Sequence, residues 1–401
     1  MFGSLLVIVL AGLVGPLVAA GRRPLIPAVV GELAAGVVLG RSGLGLIDLA
    51  TPTNALLYGL GFAMLMLVAG TRVDLRSPSL RSGARPGGIA FVIVVALAVP
   101  AGLAIGAIGA PHAPALLFPV LVAGSSAAIA FPILEERGLL GPRIGLLMAW
   151  IPLADATTVL AMPLTLIGAA KIPGALGGDV LIVAVTLAGL LIGERAARSP
   201  AILTFRDRSQ ARGWALQLRV TLLLLVVLSL IATETGGSTL VAGFGAGIVL
   251  ARLREPQRLE LQLSGLAEGF FVPAFFVLLG SELDVRALLG DPGAILLAFL
   301  LAAAVLLTHL VAARAVAPAP RLGFGLAASA QLGLPAATAS LGLATGALSP
   351  AVAAAIVAAG CLTVVPAAIG SRQLADALVS VGPASGRGPI GAAPAAPGQP
   401  A

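Results

Sequence analysis

Apolar runs about as long as a bilayer is thick recur along this chain, near residues 3–20, 25–40, 54–70, 88–110, 114–134, 143–168, 177–194, 216–233, 238–252, 268–282, 292–313, 322–343 and 349–370. In lipid every backbone N–H and C=O must be satisfied within the protein, so runs of this kind fold as helices. They predict an all-α integral membrane protein. Of the chain, 59% is hydrophobic and only 10% is charged, which excludes an ordinary soluble domain. The 51 glycines and 29 prolines suit close-packed or broken membrane helices.

The net charge of +7 comes from basic residues set singly or in small groups between the apolar runs, so it reports topology and not a nucleic-acid partner. With the amino terminus outside, 21 of the 24 basic residues face the inside, leaving Arg41, Lys171 and Arg286 outside. The expected location is the cell's inner (plasma) membrane, multi-pass, with the carboxyl terminus cytosolic. The first apolar run reads as a retained helix and not a signal peptide. A transmembrane domain is expected over 1–372. Residues 373–401, ending GPASGRGPIGAAPAAPGQPA, read as a disordered cytosolic tail. The single cysteine, Cys361, lies in an apolar run, which excludes a disulfide and a thiolate metal site. The residues offer no nucleophile–base pair, metal cluster or phosphate loop, so neither an enzyme nor a cofactor is expected.

Two pairs of segments match at nearly one offset. AGVVLGR (Ala35 to Arg41) matches AGIVLAR (Ala246 to Arg252) at 211, and GTRVDLR (Gly70 to Arg76) matches GSELDVR (Gly280 to Arg286) at 210. The matched runs are an odd number of spans apart, so the copies, roughly 25–168 and 238–370, are expected in opposite orientations. Inverted repeats of this kind serve secondary transporters, which expose a midplane site alternately to each side. The same offset carries the fifth run (AGSSAAIAFPILEERG) onto the twelfth (ASAQLGLPAATASLG), each holding small polar residues and a proline. Both are candidates for discontinuous helices, where freed backbone groups and Ser125, Ser126, Gln331 and Thr338 can face an ion.

One carboxylic acid, Asp155, sits inside MAWIPLADATTVLAMPL (Met148 to Leu164) with a proline on either side. A lone charge at mid-bilayer costs about 2.5–3.5 kcal/mol on insertion scales, so an acid there is a functional-site candidate. A proton or a monovalent cation can neutralise it, and the two compete for one group. If only the loaded forms cross readily, that competition is antiport. Pro152 leaves the carbonyl of Met148 without its usual partner, and Thr157 and Thr158 place hydroxyls nearby to complete an oxygen shell. The alternative is a structural hydrogen bond or ion pair. Glu32 is an accessory candidate, divided between local ion pairing and ion access. His309 is divided between a neutral packing residue and a pH-sensing partner of Asp155. Asp74 and Asp284 occupy equivalent repeat positions at helix ends and read as structural.

IPAVVGELAAGVVLGRSGLGLID (Ile26 to Asp48), LGFAMLMLVAGTRVDL (Leu60 to Leu75), FVPAFFVLLGSELDV (Phe271 to Val285) and the AQLG of the twelfth run resemble the cation/proton antiporter superfamily. The nearest branch holds bacterial sodium/proton exchangers and glutathione-gated potassium efflux systems. The resemblance implies about thirteen transmembrane helices with inverted-topology repeats and two crossing discontinuous helices. It also implies a homodimer, and an ion-binding aspartate on the sixth span, where Asp155 falls. The implied function is exchange of Na+ or K+ for H+. Three positions depart from the family pattern: Ala154 stands where many members carry a second acid, His309 is the nearest to a basic residue in the eleventh span, and Leu334 replaces a glutamate. With one carboxylate and no basic partner, exchange is expected to be electroneutral. The alternatives are a same-fold cation-coupled transporter of an organic anion and a transport-inactive or channel-like relative.

Overall fold

The computed structural model describes residues 2–20, 28–71, 78–135, 137–139, 144–166, 172–196, 198–235, 239–253 and 257–380. In chain order the helices are α1 (Phe2–Gly12), α2 (Val14–Ala19), α3 (Ala28–Leu39), α4 (Pro52–Thr71), α5 (Pro78–Gly109), α6 (Leu117–Ala123), α7 (Ala127–Glu135), α8 (Gly145–Leu166), α9 (Ile172–Ala196) and α10 (Pro200–Ala211). They continue as α11 (Leu216–Thr235), α12 (Thr239–Leu253), α13 (Gln257–Leu266), α14 (Val272–Glu282), α15 (Val285–Gly290), α16 (Pro292–Val316), α17 (Arg321–Ala328), α18 (Gly333–Ala344) and α19 (Pro350–Ser380). No strand occurs among the described residues. Ten of the described helical segments are long and apolar enough to cross a membrane, and α3 and α12 are shorter apolar helices.

Several apolar runs resolve into more than one element. The fifth run is α6 and α7, separated by residues 124–126, and the twelfth is α17 and α18, separated by residues 329–332. The first is α1 and α2. The tenth, 268–282, begins in a short π-helical stretch, Ala267–Phe271, that continues α13 into α14. The last helix, α19, runs unbroken to Ser380, because its later residues (SRQLADALVS) include good helix formers and no proline.

Helix crossings set the site's surroundings. α3 packs on α14, α4 on α12, α5 on α8 and α16, and α17 and α18 on α19. Two of these crossings are made by glycine against glycine. A side chain on Gly36 of α3 would strike the carbonyl of Val277 and Gly280 on α14, and one on Gly247 of α12 would strike the carbonyl of Leu67 and Gly70 on α4. Without a Cβ the two backbones touch, so dispersion acts over the whole contact, which is how membrane helices associate when lipid supplies no hydrophobic drive. Elsewhere apolar side chains face outward, including Leu187, Leu191 and Ile192 of α9 and Leu223, Val226 and Leu230 of α11.

Candidate ion-binding site

Asp155 owes its position to the inner face of α8. Ile151, Asp155, Thr158 and Met162 recur at helical spacing and are all buried, while Leu153, Thr157 and Leu160 face outward. Asp155 is 5% exposed. Pro152 and Pro163 lie within the same helix and interrupt its hydrogen-bond ladder on either side of the acid.

The carboxylate reaches the break between α6 and α7. Its Oδ2 accepts a hydrogen bond of 2.8 Å from the N–H of Ala127, the first residue of α7. A helix's first amides have no partner within it, and its dipole puts partial positive charge there. A side chain from α8 thus caps a helix it does not belong to.

The second break meets the first at the same place. Ser126 donates its backbone N–H to the carbonyl of Ala330 at 2.8 Å, and the Ser125 hydroxyl donates to the carbonyl of Ala328 at 2.6 Å. Gln331 is held from the other side by α19: its N–H donates to Thr363 Oγ1 at 3.2 Å, and Thr363 donates to the carbonyl of Gly360 at 2.7 Å. Gln331 Oε1 is buried beside Gly124 and finds no hydrogen-bond partner among the described residues. A buried acceptor left open marks a place where an ion or water is expected. Thr338, by contrast, donates to the carbonyl of Leu334 within α18.

Asp155, Ser125, Ser126 and Gln331 therefore converge on the two breaks. Thr157 does not: it is exposed, and its hydroxyl donates to the carbonyl of Leu153 at 2.7 Å. Its neighbour Thr158 supplies the buried hydroxyl, bonded to the carbonyl of Ala154 at 2.7 Å. Glu32 is buried at the α2–α3 contact over Gly15, its Oε2 without a partner among the described residues, while Arg22 and Arg23 lie outside them. His309 on α16 is fully buried, with Nδ1 2.8 Å from the carbonyl of Val305 and its ring stacked on Trp150 of α8 (centroids 5.4 Å apart, planes 9°). No hydrogen bond joins it to Asp155 among the described residues. Asp284 caps α15 through Ala287 N–H at 2.8 Å and pairs with Arg41 at 3.3 Å, a structural role, while Asp74 lies outside the described residues. Ala154 and Leu334 are buried in the apolar core. Sequence reasoning missed the Ala127 amide, which carries no side-chain signature, and Thr363, one hydroxyl in an otherwise apolar run.

The chain is 25% identical over 290 residues to a Na(+)/H(+) antiporter of Enterococcus hirae, 70% of this chain matching 73% of that one. It is 29% identical over 291 residues to the glutathione-regulated potassium-efflux system protein KefC of Cronobacter sakazakii, 66% of this chain against 42% of that one. A Bacillus subtilis relative, named only as a candidate Na(+)/H(+) antiporter, is 24% identical, with 77% of this chain covering 52% of it, so the chain spans about half that relative's length. The fold matches that of the sodium proton antiporter MjNhaP1 from Methanocaldococcus jannaschii with a TM-score of 0.57 and 16% identity, over 94% of this chain and 97% of the other. The family profile for the transmembrane sodium/hydrogen exchangers matches residues 5–373, and this multi-pass membrane chain belongs to that family of transporters, not to any family of enzymes.

Proposed function

We propose that the chain exchanges a monovalent cation, Na+ or K+, for protons by alternating access, with Asp155 as the shared site. The observation that carries this is the Asp155 carboxylate capping α7 where two broken helices meet. An ionised carboxylate alone would be costly to move past an apolar barrier; a proton or a cation neutralises it, and occupancy by one excludes the other. Oδ2 is engaged by Ala127 N–H, so Oδ1 is the atom that takes up the proton or the cation. Gln331 Oε1 and the two serines supply further hard oxygens. Relatives named for sodium/proton exchange and for potassium efflux support this cargo.

Of the described side chains that meet at the two breaks, Asp155 is the one carboxylate: Ala154 is apolar and His309 stacks on Trp150, which supports one-for-one, electroneutral exchange. The matched glycines at the two crossings support an inverted repeat, and we assign the chain, as a homodimer, to the plasma membrane with its amino terminus outside.

Asp155→Asn tests the reading. It keeps the size and an acceptor for Ala127 N–H while removing the titration. In proteoliposomes carrying a pH gradient, cation-dependent proton movement should fall to background, with an unchanged elution profile showing that the protein is folded. Wild-type rates in this variant would overturn the assignment.

A further inference from the structure

No residue of the proposed ion site lies in the connection between α9 and α11. Both helices are candidate spans, so the segment joining them sits at a membrane boundary. From Glu194 to Arg219 it carries six arginines (195, 198, 206, 208, 212 and 219) against two acids, Glu194 and Asp207. On α10, Ile202, Phe205 and Ser209 fall within about 60° of one another at 100° per residue, with Asp207 and Arg208 away from that face. Ser209 is buried and anchors the turn: its carbonyl accepts Trp214 N–H at 3.0 Å, and its hydroxyl accepts Leu216 N–H at 3.3 Å. Gly213 and Ala215 take positive φ (69° and 50°) to close it.

This strained turn holds a tryptophan at the surface. Ile202, Phe205 and Trp214 are 47%, 49% and 41% exposed. The Trp214 ring lies 6.4 Å from that of Phe205, and the Arg212 guanidinium sits 5.1 Å from its centroid. The half-buried Arg206 has an Nε with no acceptor among the described residues. The apolar cluster is flanked by the lipid-facing surface of the spans, through Leu191 and Ile192 of α9 and Val220 and Leu223 of α11. Exposed aromatic rings among cations at a membrane boundary fit a surface that is apolar within and negative at its edge.

We propose that α10 and the turn 212–215 form an interfacial foot that binds anionic phospholipids, with Ile202, Phe205 and Trp214 seated at the acyl boundary and Arg198, Arg208, Arg212 and Arg219 on the phosphates. A soluble acidic partner would satisfy the arginines but leave three apolar side chains in water. A zwitterionic headgroup carries no net charge to match them.

The chain's two tryptophans make this measurable. Trp150 is buried against His309, so the fluorescence difference between the wild type and Trp214→Phe isolates Trp214. The full chain is reconstituted in phosphatidylcholine with a minority of phosphatidylglycerol, and bromine is placed on the acyl chains of the anionic lipid or of the same mole fraction of the zwitterionic one. Brominated phosphatidylglycerol should quench Trp214 about twofold more. The variant carrying Arg198→Gln, Arg208→Gln, Arg212→Gln and Arg219→Gln should lose that excess. Raising the ionic strength should shrink it in the unmodified chain, a test that needs no substitution. Equal quenching by the two lipids would overturn the proposal. So would quenching by neither, which would leave the turn free for a soluble partner.

Discussion

Gln331 is aimed by a residue it never chose in sequence: Thr363, 32 positions later, grips its backbone while its side-chain oxygen stays open. Thr363→Val keeps the shape and removes the grip, in which the hydrogen bond accepted from Gln331 N–H is worth about 1 kcal/mol. The half-saturating cation concentration should rise about fivefold with the maximal rate within about twofold, read from initial rates of proton movement, and Thr363→Ser should restore it. We assign His309 to packing. Its stacking on Trp150 is of a kind worth about 0.5–1.5 kcal/mol. His309→Gln should therefore lower the unfolding midpoint in detergent while exchange stays within about tenfold of wild type. A larger loss of exchange at an unchanged midpoint would give the imidazole a part in turnover. The face of Asp155 was not legible from the sequence because α8 is apolar almost all round; its 3.6-residue period therefore has no polar side to mark Thr157 as outward and Thr158 as inward.

Elements show where sequence reasoning reached further. The matched motifs AGVVLGR and AGIVLAR contain Gly36 and Gly247, and GTRVDLR and GSELDVR begin with Gly70 and Gly280. Those four glycines make the two close crossings, Gly36 with Gly280 and Gly247 with Gly70. The offset exchanges one crossing for the other, which supports the proposed duplication. A glycine that must admit another backbone leaves a mark in sequence, and so does a serine–proline interruption, which is why both breaks were legible. A backbone donor such as Ala127 N–H leaves none. Gly70→Val would push into α12 and should cost about 1–3 kcal/mol by overpacking, seen as a lower unfolding midpoint. Gly59→Val, on the same helix with nothing within 4 Å of its added carbon, is the control and should shift the midpoint far less.

At the scale of the whole molecule the question is how much charge one cycle carries. One carboxylate exchanging one proton for one monovalent cation carries none. An uncompensated charge would couple to about 2.3 kcal/mol per 100 mV, shifting the equilibrium ion gradient almost fiftyfold. With the potential of proteoliposomes clamped by potassium and valinomycin and sodium as cargo, the gradient at which net flux reverses should stay fixed as voltage changes. A reversal that moves with voltage would demand a second proton carrier, with Glu32 first to be examined. The fastening of the two broken helices has another consequence. Ser126 to Ala330 is a bond between main-chain atoms, so any residue but proline at 126, and any residue at 330, preserves it. Inheritance can then rewrite the side chain at 331, the open oxygen proposed to face the ion, while this main-chain fastening passes unchanged from ancestor to descendant.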